Sequence, residues 1–284
     1  MDILVHGGAG GTPNEPDKRQ RVLDEAANAG ATAADSVSAV VTALTILESS
    51  PRFNAGTGGA VQSDGLVRTD AGIMTADRSA GAVCGMIGVE NAIRVAAHVM
   101  EDTPHVLLAG PQACELAALH GISTDCDLQT GETRDRFHES GLASANFSVQ
   151  LETVNARFGT GHDTVGAVAT DGTTVVAGTS TGGRWLALAG RVGDVPQIGS
   201  GFYASEVGAV STTGAGEDIA RMTLARLAER SLREHGDPSR AASEALNRFC
   251  AVCDGTAGLI VMTPEGTYGS DFSSELMQTA VARA

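Results

Sequence analysis

The strongest chemical candidate in this sequence is a junction. From Gly159 the chain reads Gly-Thr-Gly-His-Asp-Thr-Val-Gly-Ala-Val-Ala-Thr-Asp-Gly, so Asp163-Thr164 falls where a glycine-rich loop gives way to an apolar, β-branched run. A threonine hydroxyl is a useful nucleophile only when an adjacent base takes its proton. Taken alone, a threonine opening a strand is an ordinary structural residue. A second candidate is Gly178-Thr179-Ser180-Thr181-Gly182, which satisfies G-x-S-x-G and would make Ser180 the nucleophile of an esterase. Arg191 and Asp194 could hold a zwitterionic head group between them, or simply pair at the surface. Cys250-x-x-Cys253 has no second CxxC and sits in a helical pattern, which predicts buried structural cysteines.

Composition removes several chemistries. The only lysine is Lys18, in Asp17-Lys18-Arg19, so there is no Gly-Lys-Ser/Thr phosphate loop, and a Schiff base would have to use Lys18. The five cysteines are odd in number and scattered, unlike a secreted disulfide framework. His98, His105, His120, His138 and His235 show no metal spacing, and no catalytic metal or cofactor is expected. A net charge of −15 argues against nucleic acid or an anionic membrane as partner. No apolar run approaches the roughly 18 residues of a membrane span, and the first residues are too short and uncharged for a signal peptide, so a cytoplasmic protein is expected. The acid-rich, lysine-poor balance has two readings, adaptation to high salt or a GC-rich genome that exchanges Lys for Arg.

The elements that must position these residues follow from periodicity. With 284 residues and 36 glycines, one closely packed globular domain is expected. Asp2 to Val5 reads as a buried strand ending in a turn at His6-Gly7-Gly8-Ala9-Gly10-Gly11. Arg21 to Ala29 reads as a helix stopped by Gly30, and Val37, Val40, Val41, Leu44 and Leu47 share one face of a second helix ended by Pro51. Strand patterns follow within Gly65 to Met74 and Gly81 to Gly88, then a helix over Asn91 to Met100, a strand at His105 to Ala109 and a helix over Pro111 to His120. The polar stretch 123–161 reads as a long exposed loop. Beyond Thr164, Asp171-Gly172 marks a hairpin, and a strand near Gly208 to Ser211 follows. Two helices (Glu217 to His235, Pro238 to Cys253) and two strands (Gly258 to Met262, Tyr268 to Ser270) complete the chain. Strands come in groups and helices in pairs, which favours an α+β arrangement over a doubly wound parallel sheet.

Several short motifs then stand together in one order. They are His6-Gly7-Gly8-Ala9-Gly10, Phe53-Asn54-Ala55-Gly56, Asp70-Ala71-Gly72-Ile73-Met74, Asp163-Thr164-Val165-Gly166-Ala167-Val168, Ser180-Thr181-Gly182-Gly183, Gly190-Arg191-Val192-Gly193-Asp194 and Thr213-Gly214-Ala215-Gly216-Glu217. Each is weak alone. In register over nearly the whole chain they resemble the N-terminal-nucleophile asparaginases, the plant-type L-asparaginase and isoaspartyl peptidase family.

That resemblance implies a four-layer αββα sandwich, made as a precursor that cuts itself at Asp163-Thr164 into an α chain (1–163, with a mobile tail at about 123–161) and a β chain (164–284). It implies Thr164 as nucleophile, Thr181 as its hydrogen-bond partner, and Thr213 with Gly214 as oxyanion hole. Arg191, Asp194 and Gly216 would bind the substrate, with Arg191 on the α-carboxylate and Asp194 on the α-ammonium. Asn54 would assist self-cleavage, and His162 flanks the bond. Backbone carbonyls of Leu47, Glu48, Ser50, Phe53, Ala55 and Thr57 would hold a structural sodium ion, and the assembly would be a dimer of αβ units. Once N-terminal, Thr164 would carry an α-amine with a reference pKa of about 7.7–8.0, able to serve as its own base. L-Asparagine or a β-aspartyl dipeptide is the expected substrate. His-Asp-Thr before the cut is more similar to glycosylasparaginases, whose N-linked sugar substrate is the alternative. An esterase built on Ser180 would need a downstream histidine, and only His235 is available. A non-enzymatic acidic binding domain would leave Thr164, Arg191, Asp194 and Thr213 together without reason.

Overall fold

The computed structural model describes residues 1–143, 145–157 and 164–284. The chain begins with β1 (Asp2–Gly10), nearly all of it buried. Two helices follow, α1 (Pro16–Ala31) and α2 (Ser36–Glu48). Pro16 starts α1, where its missing N–H costs nothing, and the Asp35 carboxylate caps α2 by accepting from the Ser38 N–H at 2.8 Å. Then come β2 (Thr69–Thr75), β3 (Ala80–Met86), α3 (Ala92–Asp102), β4 (Leu107–Ala109) and α4 (Gly110–Leu119). Two further helices are α5 (Gly131–Glu139) and α6 (Phe147–Arg157). The second half holds β5 (Val165–Thr170), β6 (Val175–Thr181), β7 (Phe202–Ser205), β8 (Gly208–Gly214), α7 (Gly216–Met222), α8 (Leu224–His235) and α9 (Pro238–Cys250). The last strands are β9 (Ala257–Met262), β10 (Tyr268–Phe272) and β11 (Leu276–Arg283).

Two sheets form. The larger has the order β11-β1-β5-β6-β2-β3-β4, antiparallel except for the β3–β4 pair, and the smaller is β10-β9-β8-β7, antiparallel throughout. One apolar cluster joins α1, α2 and α3 to the larger sheet through residues such as Leu23, Leu44, Ile93, Ile3 and Ile73. A second joins α8 and α9 to the smaller sheet, and reaches across to Leu4, Val168 and Ala177 of the larger one. Alternation explains the division: Ile3 and Val5 face one cluster while Leu4 faces the other. Mixed helices and two sheets are thus the α+β architecture expected from the sequence.

Several local expectations change. The proposed turn at His6 is part of β1, which continues to Gly10 through an irregularity in its pairing with β11 between His6 and Ala9. Gly30 does not stop α1. It lies inside the helix, where an added Cβ would come within 2.6 Å of Ile3 Cδ1 and 2.9 Å of the Ala39 carbonyl, so it serves close packing. The helix expected over Glu217 to His235 is broken at Thr223, in a left-handed conformation (φ 47°). Cys250 is exposed and Cys253 half-buried, so this pair is not buried core as predicted.

The largest correction is the polar stretch after Ser123, which carries α5 and α6 in place of a long loop. Thr130 and Thr133 bond reciprocally at the start of α5, a capping box that needs no apolar periodicity. Phe137 and Leu142 then join Val61, Val67 and Leu128 in a small third cluster, with Arg136 stacked 4.1 Å over the Trp185 ring.

Candidate active site

Three threonines mark the candidate site, two at adjoining ends of β5 and β6 and one in β8 of the smaller sheet. β5 pairs with β6 so that Val165 faces Ser180, and Thr164 and Thr181 are the next residues at that end. Thr164 is buried, at 4% exposure. On its other side β5 pairs with β1, Gly166 opposite His6. His6 Nε2 lies 2.9 Å from Ser211 Oγ, a contact that passes over Gly166 and ties β1 to β8. Two residues along β8, Thr213 Oγ1 accepts from the Ala9 N–H at 3.3 Å. Its own hydroxyl proton remains available to donate. Gly214 follows at the end of β8, opposite Ala257, and α7 begins at Gly216.

The imidazole in this half of the site is uncharged. Burial, with a smaller push from Arg19, lowers the His6 pKa to about 3 against the opposing effect of the nearby Thr164 backbone, so the imidazole is neutral at working pH. Its Nδ1 has no partner of good hydrogen-bond geometry among the described residues. Thr181 Oγ1 accepts from the Gly183 N–H at 3.1 Å and lies 3.5 Å from the Asn54 carbonyl. Asn54 in turn donates from Nδ2 to the Gly183 carbonyl at 2.6 Å and accepts at Oδ1 from the Ala60 N–H at 2.8 Å. The Phe53-Asn54-Ala55-Gly56 and Ser180-Thr181-Gly182-Gly183 motifs are therefore one structural unit.

The second half is charged. Arg191 Nε donates to Glu217 Oε1 at 2.8 Å, and Arg184 Nη1 to Glu217 Oε2 at 3.0 Å. Burial works to raise the Glu217 pKa, but the Arg191 hydrogen bond and charge, with Arg184 behind them, hold it down at about 2. Asp194 is 3% exposed, and burial raises its pKa to about 7, against the pull of Arg191. Gly216 is where these groups converge: an added Cβ would stand 2.6 Å from Arg191 Nη2 and 2.7 Å from Asp194 Oδ1. Asp194 Oδ2, although buried, has no hydrogen-bond partner among the described residues. A buried carboxylate oxygen left open beside a guanidinium suits a ligand bearing both an ammonium and a carboxylate.

The structure thus sets Thr164 at the start of β5 beside the end of β6 that carries Thr181, with the Asn54 carbonyl near Thr181, sets Thr213 and Gly214 at the end of β8, and gathers Arg191, Asp194 and Gly216 at the start of α7. Asp163 and His162 lie outside the described residues. Sequence reasoning overlooked Glu217 as the brace for two arginines, and Gln62, which accepts from the Gly190 N–H (2.8 Å) and donates to the Arg191 carbonyl (3.1 Å). The Ser180 alternative loses its partner. Ser180 Oγ donates to Glu48 Oε1 at 2.5 Å on the helix side of the sheet, and His235 closes α8 with its Nε2 3.3 Å from Glu244 Oε2.

The loop that would hold sodium has the right donor type, since only carbonyl oxygens are offered. Those of Glu48 and Ser50 already accept from the Thr57 N–H (2.9 Å) and the Phe53 N–H (3.3 Å), and each keeps a second lone pair for a hard cation. No described helix is long and apolar enough to cross a membrane. None of the five cysteines is in a disulfide.

Comparison with known proteins gives the family. A family model described as Asparaginase matches residues 1–284. A plant-type L-asparaginase of Pyrococcus abyssi is 41% identical over 281 residues, covering 94% of this chain and 91% of the relative. One of Pyrobaculum calidifontis is 40% identical over 294 residues, covering 97% and 94%. An isoaspartyl peptidase/L-asparaginase of Bos taurus is 37% identical over 294 residues, covering 99% and 92%. With its full length matched by the family model and paralleled by relatives from archaea to cattle, the chain belongs to the asparaginase family.

Proposed function

We propose that this protein is a threonine amidohydrolase that matures by cutting itself at Asp163-Thr164 and then hydrolyses the side-chain amide of L-asparagine, or the equivalent bond of a β-aspartyl dipeptide. The observation that carries this reading is the open, buried Asp194 Oδ2 beside the Arg191 guanidinium, held at Gly216 just beyond the end of β8 that carries Thr213. In it the Arg191 fork takes the substrate carboxylate, Asp194 takes the ammonium, and Gly216 leaves them room.

Chemistry then needs only groups already in place. The Thr164 hydroxyl oxygen attacks the amide carbon while the Thr164 α-amine, freed by the cut, takes the hydroxyl proton. The carbonyl oxygen becomes an oxyanion facing the Thr213 hydroxyl and the Gly214 N–H, at the entrance to α7, where the helix dipole favours negative charge. As the tetrahedral intermediate collapses, the α-ammonium returns a proton to the leaving nitrogen and an ester to Thr164 remains. Water, deprotonated by the same amine, opens that ester to release aspartate. Thr181 orients the Thr164 hydroxyl. Before maturation the Thr164 nitrogen is an amide without basicity, and Asn54 is the group placed to steady the intermediate of the cut.

The same reading makes the fold a single four-layer αββα domain, divided on maturation into 1–163 and 164–284. What supports the layering is that each sheet has helices on one side and shares apolar residues with the other sheet. The Leu47 to Thr57 loop would hold a structural sodium ion, and two αβ units would pair. Unpaired cysteines fit a reducing, cytoplasmic setting, and the net charge of −15 fits a protein that tolerates high salt.

Intact-mass measurement with a denaturing gel tests the mechanism: two fragments divided at the 163–164 bond are expected. A single uncut chain that still releases ammonia from asparagine would overturn it. Turnover of L-asparagine, a β-aspartyl dipeptide and an aspartyl-glucosamine by the processed protein then ranks substrates, with the sugar amide expected last.

A further inference from the structure

Away from the threonines, α3 and α4 end against each other. His98 and Asp102 stand four residues apart on the last turns of α3, hence on one face of it, and His120 is the residue that closes α4. His98 Nδ1 lies 2.8 Å from Asp102 Oδ2, and His120 Nε2 lies 3.5 Å from that same oxygen. The two imidazoles are stacked, with ring centroids 3.7 Å apart and planes 16° from parallel, so one of these half-exposed rings has to turn out of the stack for both nitrogen lone pairs to meet a common ion. One ligand atom from each of the three residues lies within 4.8 Å of the others. The sequence concealed this, because the separation of His98 from His120 follows no familiar metal-binding pattern, and only the packing of α4 beside α3 joins them.

We infer that His98, Asp102 and His120 form a binding site for a divalent transition-metal ion of the zinc class. A four-coordinate ion held by nitrogen and oxygen at about 2.0–2.2 Å sets its donor atoms about 3.3 Å apart. The two separations from Asp102, 2.8 and 3.5 Å, straddle that value. Two imidazoles with one carboxylate favour Zn²⁺, Co²⁺, Ni²⁺ or Cu²⁺ over Mg²⁺ or Ca²⁺, which prefer all-oxygen shells. The side chains are 27%, 47% and 24% exposed in chain order, so a fourth position is open to water and the ion has a path in. Two helix C-termini meet here, and their carbonyl ends add negative potential. The site has mechanical work to do as well. α4 buries only Ala113 and Ala117, whereas α3 buries six residues, so the ion would pin a lightly held helix to a firmly held one.

None of these residues belongs to the threonine site, so the ion is structural and asparagine hydrolysis does not need it. The test is calorimetric titration of the processed, chelator-stripped protein with ZnCl₂ and, separately, MgCl₂. One zinc per chain is expected, bound at least tenfold more tightly than magnesium, with a rise in melting temperature. His98→Ala and His120→Ala should each weaken zinc at least tenfold while leaving turnover of asparagine unchanged. Co²⁺ added to the unaltered protein should give visible absorption bands of a four-coordinate nitrogen–oxygen site. Absence of saturable zinc binding, unchanged zinc affinity in the His98→Ala/His120→Ala protein, or a cobalt spectrum of sulfur ligation would each overturn the assignment.

Discussion

The two halves of the active site are built by different rules. Thr164, Thr181 and Thr213 stand at the ends of β5, β6 and β8, and the polar atoms that hold Thr181 and Thr213 are main-chain groups: the Gly183 N–H, the Asn54 carbonyl and the Ala9 N–H. Burial keeps the His6 imidazole beside them neutral. Arg184, Arg191, Asp194 and Glu217 instead lie on loops and the first turn of α7, and Arg184, Arg191 and Glu217 are tied mainly through their own charges. Strand register fixes the backbone that carries a side chain to a fraction of an ångström and tolerates little change. A charge network selects a zwitterion and responds in graded fashion to pH and substitution.

Substitutions can break or sharpen that contrast. Thr164→Ala should give an uncut chain with a loss of roughly 10⁴-fold or more in turnover, read by mass and ammonia release, and a processed or active variant would remove the nucleophile assignment. Arg191→Ala should lower kcat/KM for asparagine roughly hundredfold, mostly through KM, because it strips the carboxylate clamp and leaves Glu217 half-paired. Equal kcat loss at constant KM would place Arg191 in the wrong half. Glu217→Gln keeps the shape but loosens both arginines, and a roughly tenfold rise in KM is expected, with self-cleavage intact on a gel.

A smaller effect should appear in pH. Asp194 has a pKa raised to about 7, so its carboxylate is neutral below that pH and attracts an ammonium only above it. KM for asparagine should therefore fall as pH rises through about 7, and Asp194→Asn should flatten the profile. The smallest effect is on stability, at Glu48. Burial raises its pKa to about 8, against its hydrogen bonds from Ser180 and Ile93, whereas an unfolded glutamate titrates near about 4.3. The folded state binds the proton more tightly, so this contribution is complete below about 4.3 and lost as pH rises through about 8. The melting temperature of Glu48→Gln relative to the unaltered protein should climb across that window, and a constant difference would show that Glu48 is ionised in the fold.

Much of the site was legible because its members sit in short, glycine-punctuated motifs whose order survives in the linear chain. Thr164, Thr181, Thr213, Arg191 and Asp194 could each be singled out from such a motif. What escaped was contact between motifs. His6 and Ser211 are 205 residues apart, Gln62 reaches Gly190 across 128, and no local pattern announces either. The fold was misread where polar sequence is held by means other than a broad apolar face. Phe137 is the only buried residue of α5, and β11 is an edge strand whose exposure alternates only loosely. Thr223 breaks a helix without glycine or proline to signal it.

The strand order β11-β1-β5-β6-β2 has a kinetic meaning. If the chain is divided before β5, strands of the two origins interleave, with β1 of the first fragment clasped between β11 and β5 of the second, and β6 of the second against β2 of the first. Unfolding of the intact precursor can be reversed by one molecule on its own. Unfolding of the divided protein releases two pieces that must find each other again, so refolding becomes second order and slows with dilution. The working lifetime of the mature enzyme would then be governed by the height of its unfolding barrier and not by the equilibrium depth of its fold.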